Sequence, residues 1–354
     1  MVSVGSKKSG HQQGDIRYSI IITCYNQQGF IRDAVESVLA QPCFAKELIV
    51  VDDGSDDSSV SVLRQYESSL RLIALSKNEG VNEARNRGAA AAKGEYLIFL
   101  DGDDLFTPWA LDTYDQLIAQ RSPVAILSQA RWFEDAVPVI EHDEEPKKIE
   151  FVEYESLMAK DRVSGMYIGA FVIERAAFNR VGGWTPGVWH LDGQDLYAKL
   201  AYSGKAILVL SPYTMLYRMH GGNSILAVES YVGAAQSFID RERSGHYPGG
   251  RVKKFERYAR HGGVIFFCVK RLWRAGFHAG AVRVALRGWN MIIVAVMRKS
   301  TTCVHKRRSI ETCELRLNPG HVKESFMNGV EPSPRDLVLS HAEVINSFIA
   351  SKQG

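Results

Sequence analysis

Residues 96–106 read YLIFLDGDDLF. The five residues from Tyr96 to Leu100 are apolar without a break, and Asp101, Asp103 and Asp104 follow within four positions. An unbroken apolar run of this length reads as a strand buried on both faces. The carboxylates behind it repel one another, so their crowding needs a reason. Asp and Gly favour turns, which gives a polar exit from the sheet. Neighbouring carboxylates are also tolerated where a divalent cation sits between them. The rest of the chain has to decide between the two.

Working outward, the same pattern recurs. Apolar strand runs are expected at 18–23 (YSIIIT), 47–51 (ELIVV), 70–75 and 124–127, besides 96–100. Between them lie stretches with helical spacing: 31–39, 60–66, the Ala-rich 82–93, and 108–119 with Pro108 at its start. Alternation at this spacing predicts βαβ units, a mainly parallel sheet and an α/β fold flanked by helices. In such sheets ligands bind beyond the carboxyl ends of the strands. The residues at those ends are Cys24-Tyr25-Asn26, Asp52-Asp53-Gly54-Ser55, Lys77-Asn78 and Asp101-Gly102-Asp103-Asp104, and they should share one rim. No GxGxxG or GxxxxGK[ST] follows the first strand, which disfavours dinucleotide dehydrogenases and P-loop NTPases.

Composition sets the outer bounds. The chain has 354 residues, enough for one or two domains, and its 45% apolar and 23% charged content is that of an ordinary folded protein. Five cysteines without a CxxC pair argue against a disulfide framework or a zinc site. No charged start with an apolar h-region is seen, so a cytoplasmic location is expected. Residues 1–15, rich in Gly, Ser, Lys and Gln, read as a tail. The net charge of +3 hides an asymmetry: residues 251–310 hold fifteen Lys/Arg against one acid, Glu256. The chain therefore divides into an α/β domain over 16–225 and a basic, mainly helical region over 226–354, with helices expected at 253–274, 279–297 and 336–350.

With these pieces in place the chain resembles the family 2 glycosyltransferases, which have the GT-A fold. The resemblance rests on SIIITCYNQQGFIRDAVESVLAQ (19–41), ELIVVDDGSDDSS (47–59), NEGVNEARNRGAAAAKGEYLIFLDGDD (78–104), VGGWTPG (181–187), GQDLYAKLAYSGK (193–205) and YRMHGGNS (217–224), in that order. It implies a nucleotide-sugar donor, UDP-sugar favoured, and Mg²⁺ or Mn²⁺ as cofactor. By the resemblance, Thr23 and Tyr25 pack around the nucleobase, Asp53 accepts a base N–H, and Arg85 contacts the donor. Residue spacing alone leaves open whether Asp52 or Asp53 faces the base, and reads Arg85 equally as part of a solvated helix face with Glu83 and Arg87. Asp101 and Asp103 match the family's DxD motif, with Asp103 the direct metal ligand, Asp101 on donor ribose or metal-bound water, and His220 an added metal or diphosphate contact. Asp104 is left as a helix cap.

The resemblance further assigns an inverting, hexosyltransferase-like reaction. Asp195 takes the acceptor's proton, with Asp192 as runner-up. Gln194 stands where the family has Glu and is assigned, with Trp189, to the acceptor. Residues 163–190 resemble the family's glycine-containing acceptor segment, and Trp184 within it reads as core. The acceptor class is a glycan or lipid-linked sugar of cell-surface polysaccharide or glycolipid synthesis. Rival expectations are a sugar nucleotidyltransferase, which would need a Gly-rich loop where TCYNQQGF stands, and a nucleotide-sugar-binding protein impaired in catalysis, which Gln194 favours. In the basic region, Lys270, Arg271, Arg274, Arg283 and Arg287 interrupt the apolar runs of 262–297, against a membrane span. Basic residues mixed with Trp and Phe suggest an anionic membrane surface, on the inner face of the membrane, or helices packed on the catalytic domain. No nucleic-acid recognition motif accompanies the charge.

Overall fold

The computed structural model describes residues 16–43, 45–134, 136–138, 146, 148–158, 171–302 and 310–317. The expected tail at 1–15, Gly165 and Gly169, and the helix expected over 336–350 lie outside the described residues.

Strands and helices alternate through the first third: β1 (Tyr18–Cys24), α1 (Ile31–Leu39), β2 (Lys46–Asp52), α2 (Ser59–Arg64), β3 (Arg71–Ala74), α3 (Val81–Ala91) and β4 (Tyr96–Asp101). After a two-residue β5 (Leu105–Phe106) come α4 (Ala110–Arg121) and β6 (Ala125–Leu127). Pro108 lies in the turn before α4 rather than inside it. Then follow β7 (Ala130–Glu134), β8 (Lys148–Tyr154), β9 (Phe171–Glu174), α5 (Arg175–Arg180), α6 (Asp192–Lys199), β10 (Ala206–Ser211) and β11 (Met215–Met219). Three helices, α7 (Tyr231–Arg243), α8 (Lys254–Arg274) and α9 (His278–Thr302), precede a last strand, β12 (Glu311–Glu314).

Among the described residues the main sheet has nine strands in the order β12-β8-β10-β6-β9-β4-β1-β2-β3. β3, β2, β1 and β4 are parallel to one another, as the alternation predicts. The other half is mixed, because β9 inserts antiparallel between β4 and β6, and β8 and β12 are antiparallel too. Successive strand residues point to opposite faces. Ile20 and Ile22 accordingly enter one core with α1 and α4, while Ile21 enters the other with α3, α5 and α6. At roughly 1.5–3 kcal/mol for each fully buried aliphatic side chain, β1 alone anchors both layers. A small second sheet, β5-β11-β7, leans on the mouth of the first.

The C-terminal helices build a third core with Leu191, Ala198 and Ala201 from around α6. Gly262 lets α8 approach α9 closely, since a Cβ there would run into the carbonyl of Met291. The region from 226 on is not wholly helical or separate. β12 pairs antiparallel with β8 and extends the main sheet at its far edge.

Candidate active site

The parallel strands deliver their C-terminal ends to one rim, and hydrogen bonds weld those ends together. Gly102 N–H donates to the Thr23 carbonyl (2.9 Å), and Asp53 N–H to that of Cys24 (2.8 Å). A Cβ on Gly102 would press on the Thr23 carbonyl and the Gln27 amide, so the DGDD turn needs glycine at its second position. Asp52 is consumed by its own turn, accepting from Ser55 N–H (3.0 Å) and Ser55 Oγ (2.6 Å). Asp53 accepts from the backbone N–H of Glu79 (2.7 Å) and Gly80 (2.9 Å), which fixes the start of α3. Burial pushes the Asp53 carboxyl above its ordinary range, against those two donors. Thr23 is buried beside it, and Tyr25 stands exposed on the rim.

Arg85 is the hub. Its helix position suggests solvent, yet it is buried. Its guanidinium donates to Asp101 Oδ1 (2.7 Å) and to Asp192 Oδ2 (2.7 Å), and it lies 4.7 Å from the Trp184 ring. Burial alone would lower its pKa, but the two carboxylates outweigh that and raise it. One cation thus ties the end of β4 to the start of α6. Asn82, one turn earlier, donates to the carbonyls of Thr185 and Val188 (both 2.9 Å) and pins the loop before α6 to α3. That loop carries Trp189, half exposed, with its ring against Gly80. Trp184 is core, packed edge-on to Phe99 at 5.2 Å.

Asp103 faces His220 across the cleft. His220 Nε2 lies 2.9 Å from Asp103 Oδ2, and Gly222 N–H donates to Nδ1 (3.2 Å). That pair of partners places the ring proton on Nε2. His220 therefore holds Asp103 in position; to ligate a cation through Nε2 it would have to move its proton to Nδ1 and give up Gly222. Asn223 Nδ2 supports the same carboxylate at 3.4 Å. Asp104 is not a helix cap. It is buried, accepts from Arg218 N–H (3.1 Å), and is pushed well above the usual carboxylate range by burial, with Asp103 and Asp101 adding to it. Arg218 also donates to the Asp103 carbonyl (3.1 Å) and to Asp33 (2.6 Å).

Asp195, expected as the base, does not line this cleft. It has no exposed surface. Thr185 Oγ1 (2.5 Å) donates to one oxygen, and Tyr247 OH (2.8 Å) donates to the other, where Arg241 Nε also lies at 3.0 Å. Burial and the Asp195 charge drive the Tyr247 hydroxyl far above its ordinary pKa, so it stays a donor. Enclosed in this way, Asp195 presents no oxygen to the cleft in this structure. Helix α6 starts at Asp192, which is buried against Arg85. Gln194 is half-buried in the same first turn, and no hydrogen bond occupies it among the described residues. Trp189, His190, Ser230, Ser237 and Arg241 help line a cavity of about 410 Å³ between the loop before α6 and α7.

Among the described residues no group of three His, Cys, Asp or Glu side chains forms a metal cage. Asp101 and Asp103 suit a different kind of site. Each has one oxygen engaged by protein and the other free of protein hydrogen bonds among the described residues. Mg²⁺ takes only one or two carboxylates when phosphates and water supply the rest, so this donor set fits it.

A parallel half-sheet whose strand ends gather acidic turns, completed by a mixed half and a small second sheet, defines a GT-A glycosyltransferase fold. The crystal structure of Staphylococcus aureus TarS 1–349 in complex with UDP-GlcNAc has the same fold, with a TM-score of 0.55 and 14% identity over 89% of this chain and 100% of that one. Residues 19–182 match the family described as Glycosyl transferase family 2. An uncharacterized glycosyltransferase of Haemophilus influenzae is 29% identical over 182 residues, 51% of this chain and 61% of that protein. Bacillus subtilis TuaG, a putative teichuronic acid biosynthesis glycosyltransferase, is 36% identical over 107 residues, 29% of this chain and 42% of that protein. The match thus spans less than two thirds of either relative's own length.

Proposed function

We propose that the chain transfers a sugar, with inversion, from a nucleoside-diphosphate donor to a hydroxyl of a glycan or lipid-linked acceptor in polysaccharide or glycolipid synthesis. The observation that carries this reading is Arg85, which joins Asp101 and Asp192 and so ties the DGDD turn to the start of α6. A UDP-sugar is the favoured donor, in keeping with the ligand bound to TarS. Likeness to TuaG, a putative teichuronic acid biosynthesis glycosyltransferase, favours a polysaccharide as product.

The base packs against Tyr25, with Asp53 accepting its N–H through lone pairs the backbone donors leave. Asp103 and Asp101 would hold Mg²⁺ or Mn²⁺, which when bound neutralises charge growing on the departing diphosphate. His220 and Asn223 keep Asp103 oriented. Asp192 takes the acceptor proton at Oδ1, the oxygen Arg85 does not use, while Arg85 holds the carboxylate in place. General-base help of this kind is worth ~10²–10⁴-fold. Trp189 and Gln194 border the acceptor. The acceptor hydroxyl attacks the anomeric carbon opposite the leaving diphosphate, so configuration inverts.

The enclosure of Asp195 and the Gln at 194 favour a second reading, donor binding without transfer. A thermal-shift panel of UDP-, GDP- and dTDP-sugars with and without Mn²⁺, followed by a transfer assay, separates the two. The expected result is metal-dependent stabilisation by a UDP-sugar, about 2.7 kcal/mol at a hundredfold excess over Kd, together with release of UDP. No stabilisation by any nucleotide sugar would contradict both readings, and stabilisation without turnover would leave the second.

A further inference from the structure

The α8–α9 hairpin has two unlike sides. Helix α7 covers one of them. Glu242 accepts from Arg257 Nε (3.0 Å), Arg271 stacks 5.0 Å from the Tyr231 ring, and Asp240 accepts from Arg287 (2.6 Å). The other side carries Phe266 and Trp273 on α8 and Leu286, Trp289, Ile293 and Val296 on α9, each between 46% and 70% exposed. The recurrence at three- and four-residue steps puts each set on one stripe of its helix. In an antiparallel pair with α7 against one side, both stripes emerge on the opposite side and form one apolar face.

Helix α9 is long and apolar enough to cross a membrane by length and composition, with a mean hydropathy of 1.4 over His278–Arg298. Its remaining face is already in use: Ala281, Val284 and Met291 are buried in the helical core, and Gly288 packs against Ile265 and Ile239. That contact holds α9 flat in the helical layer, with its open stripe outward.

We propose that this open face docks on an anionic lipid bilayer. Lys270 rises from the middle of the stripe with Nζ 5.5 Å from the Phe266 ring, and Arg274 and Arg283 are exposed beside it. Residues 251–310 contain only one acid. A second copy docked here by two-fold symmetry would set these bases against their own counterparts. Anionic headgroups meet the bases, while the acyl boundary accepts the Trp, Phe and Leu side chains. The inference does not depend on the transfer reaction.

The test is flotation of the full chain with phosphatidylcholine vesicles and with vesicles containing about 30 mol% phosphatidylglycerol. Binding at least ~10-fold tighter to the anionic vesicles, weakened by salt, is expected. The triple variant Leu286→Gln/Trp289→Gln/Ile293→Gln should lose that binding, with its melting temperature and UDP-induced shift unchanged. Lys270→Ala/Arg274→Ala, which leaves the apolar stripe intact, should lose the preference for anionic lipid. No flotation of the full chain overturns the proposal, whether sedimentation shows the face taken by a second copy or removal of residues 318–354 uncovers it. Equal flotation of wild type and triple variant overturns it as well.

Discussion

Arg85 and Arg257 are both buried, and both grip carboxylates, but they serve different ends. Arg257 spends its donors inside the helical layer, on Glu242 and on the carbonyls of Pro248 and Gly250. Glu242 has no exposed side-chain surface. Arg85 grips Asp101 and Asp192 by one oxygen each and leaves their second oxygens without a protein hydrogen bond among the described residues. A carboxylate with every lone pair taken holds a fold together. One that is oriented by half and open by half can do chemistry. By the same criterion Asp195 belongs with Glu242, although it lies within one turn of Asp192.

The sharpest break in this comparison should come from Arg257→Ala. Removing one partner of a buried pair strands a charge, so stability should fall by roughly 3–5 kcal/mol in a denaturant titration. Asp103→Asn should do the reverse. Unit charges 4 Å apart interact by ~4 kcal/mol at an effective dielectric near 20, so metal-dependent transfer should drop on the order of 10³-fold, with the melting temperature nearly unchanged. Gly102→Ala should cost about 1–3 kcal/mol of stability by overpacking the turn and should weaken UDP binding too, because it displaces both β1 and the DGDD turn.

The smallest effect is in pH. Burial holds His261 below its ordinary 6.5. Burial raises Glu242, but the His261 ring 3.1 Å away and the hydrogen bonds from Arg257 outweigh it and hold the group below 4.5. The unfolded chain takes up protons at both groups before the folded chain does, so stability falls as pH falls. The His261 contribution is lost from about 6.5 downward and the Glu242 contribution only below about 4.5. The part of the melting-temperature profile that these two groups set should be level above pH 7 and decline beneath it, while the raised carboxyls of Asp104 and Asp53 contribute with the opposite sign.

The sequence showed the parallel half-sheet well, because β1, β2 and β4 are apolar runs that no other element could bury. Helix α1 could be bounded from its spacing alone. Strands β9 and β12 could not be placed. Both are four residues long, and β12 alternates exposed and half-buried positions, so only pairing with a distant strand makes them strands. The rim residues Asp53, Asp101 and Asp103 were legible because strand order brings them together. Arg85 was ambiguous, since Glu83 and Arg87 share its helix, and its burial depends on Asp192, 107 positions away. The choice between Asp192 and Asp195 was hidden for a similar reason. Tyr247, which occupies Asp195, lies 52 positions further on in a region without motifs.

That choice is the most direct test of the account. Single-turnover release of UDP and transfer from a UDP-sugar should be measured for Asp192→Asn and Asp195→Asn side by side, each scaled to its folded fraction. Asp192→Asn should lose ~10²–10⁴-fold in rate while binding donor normally, and Asp195→Asn should lose stability but keep its rate within about tenfold. A fully active Asp192→Asn, or a folded but inactive Asp195→Asn, would contradict it.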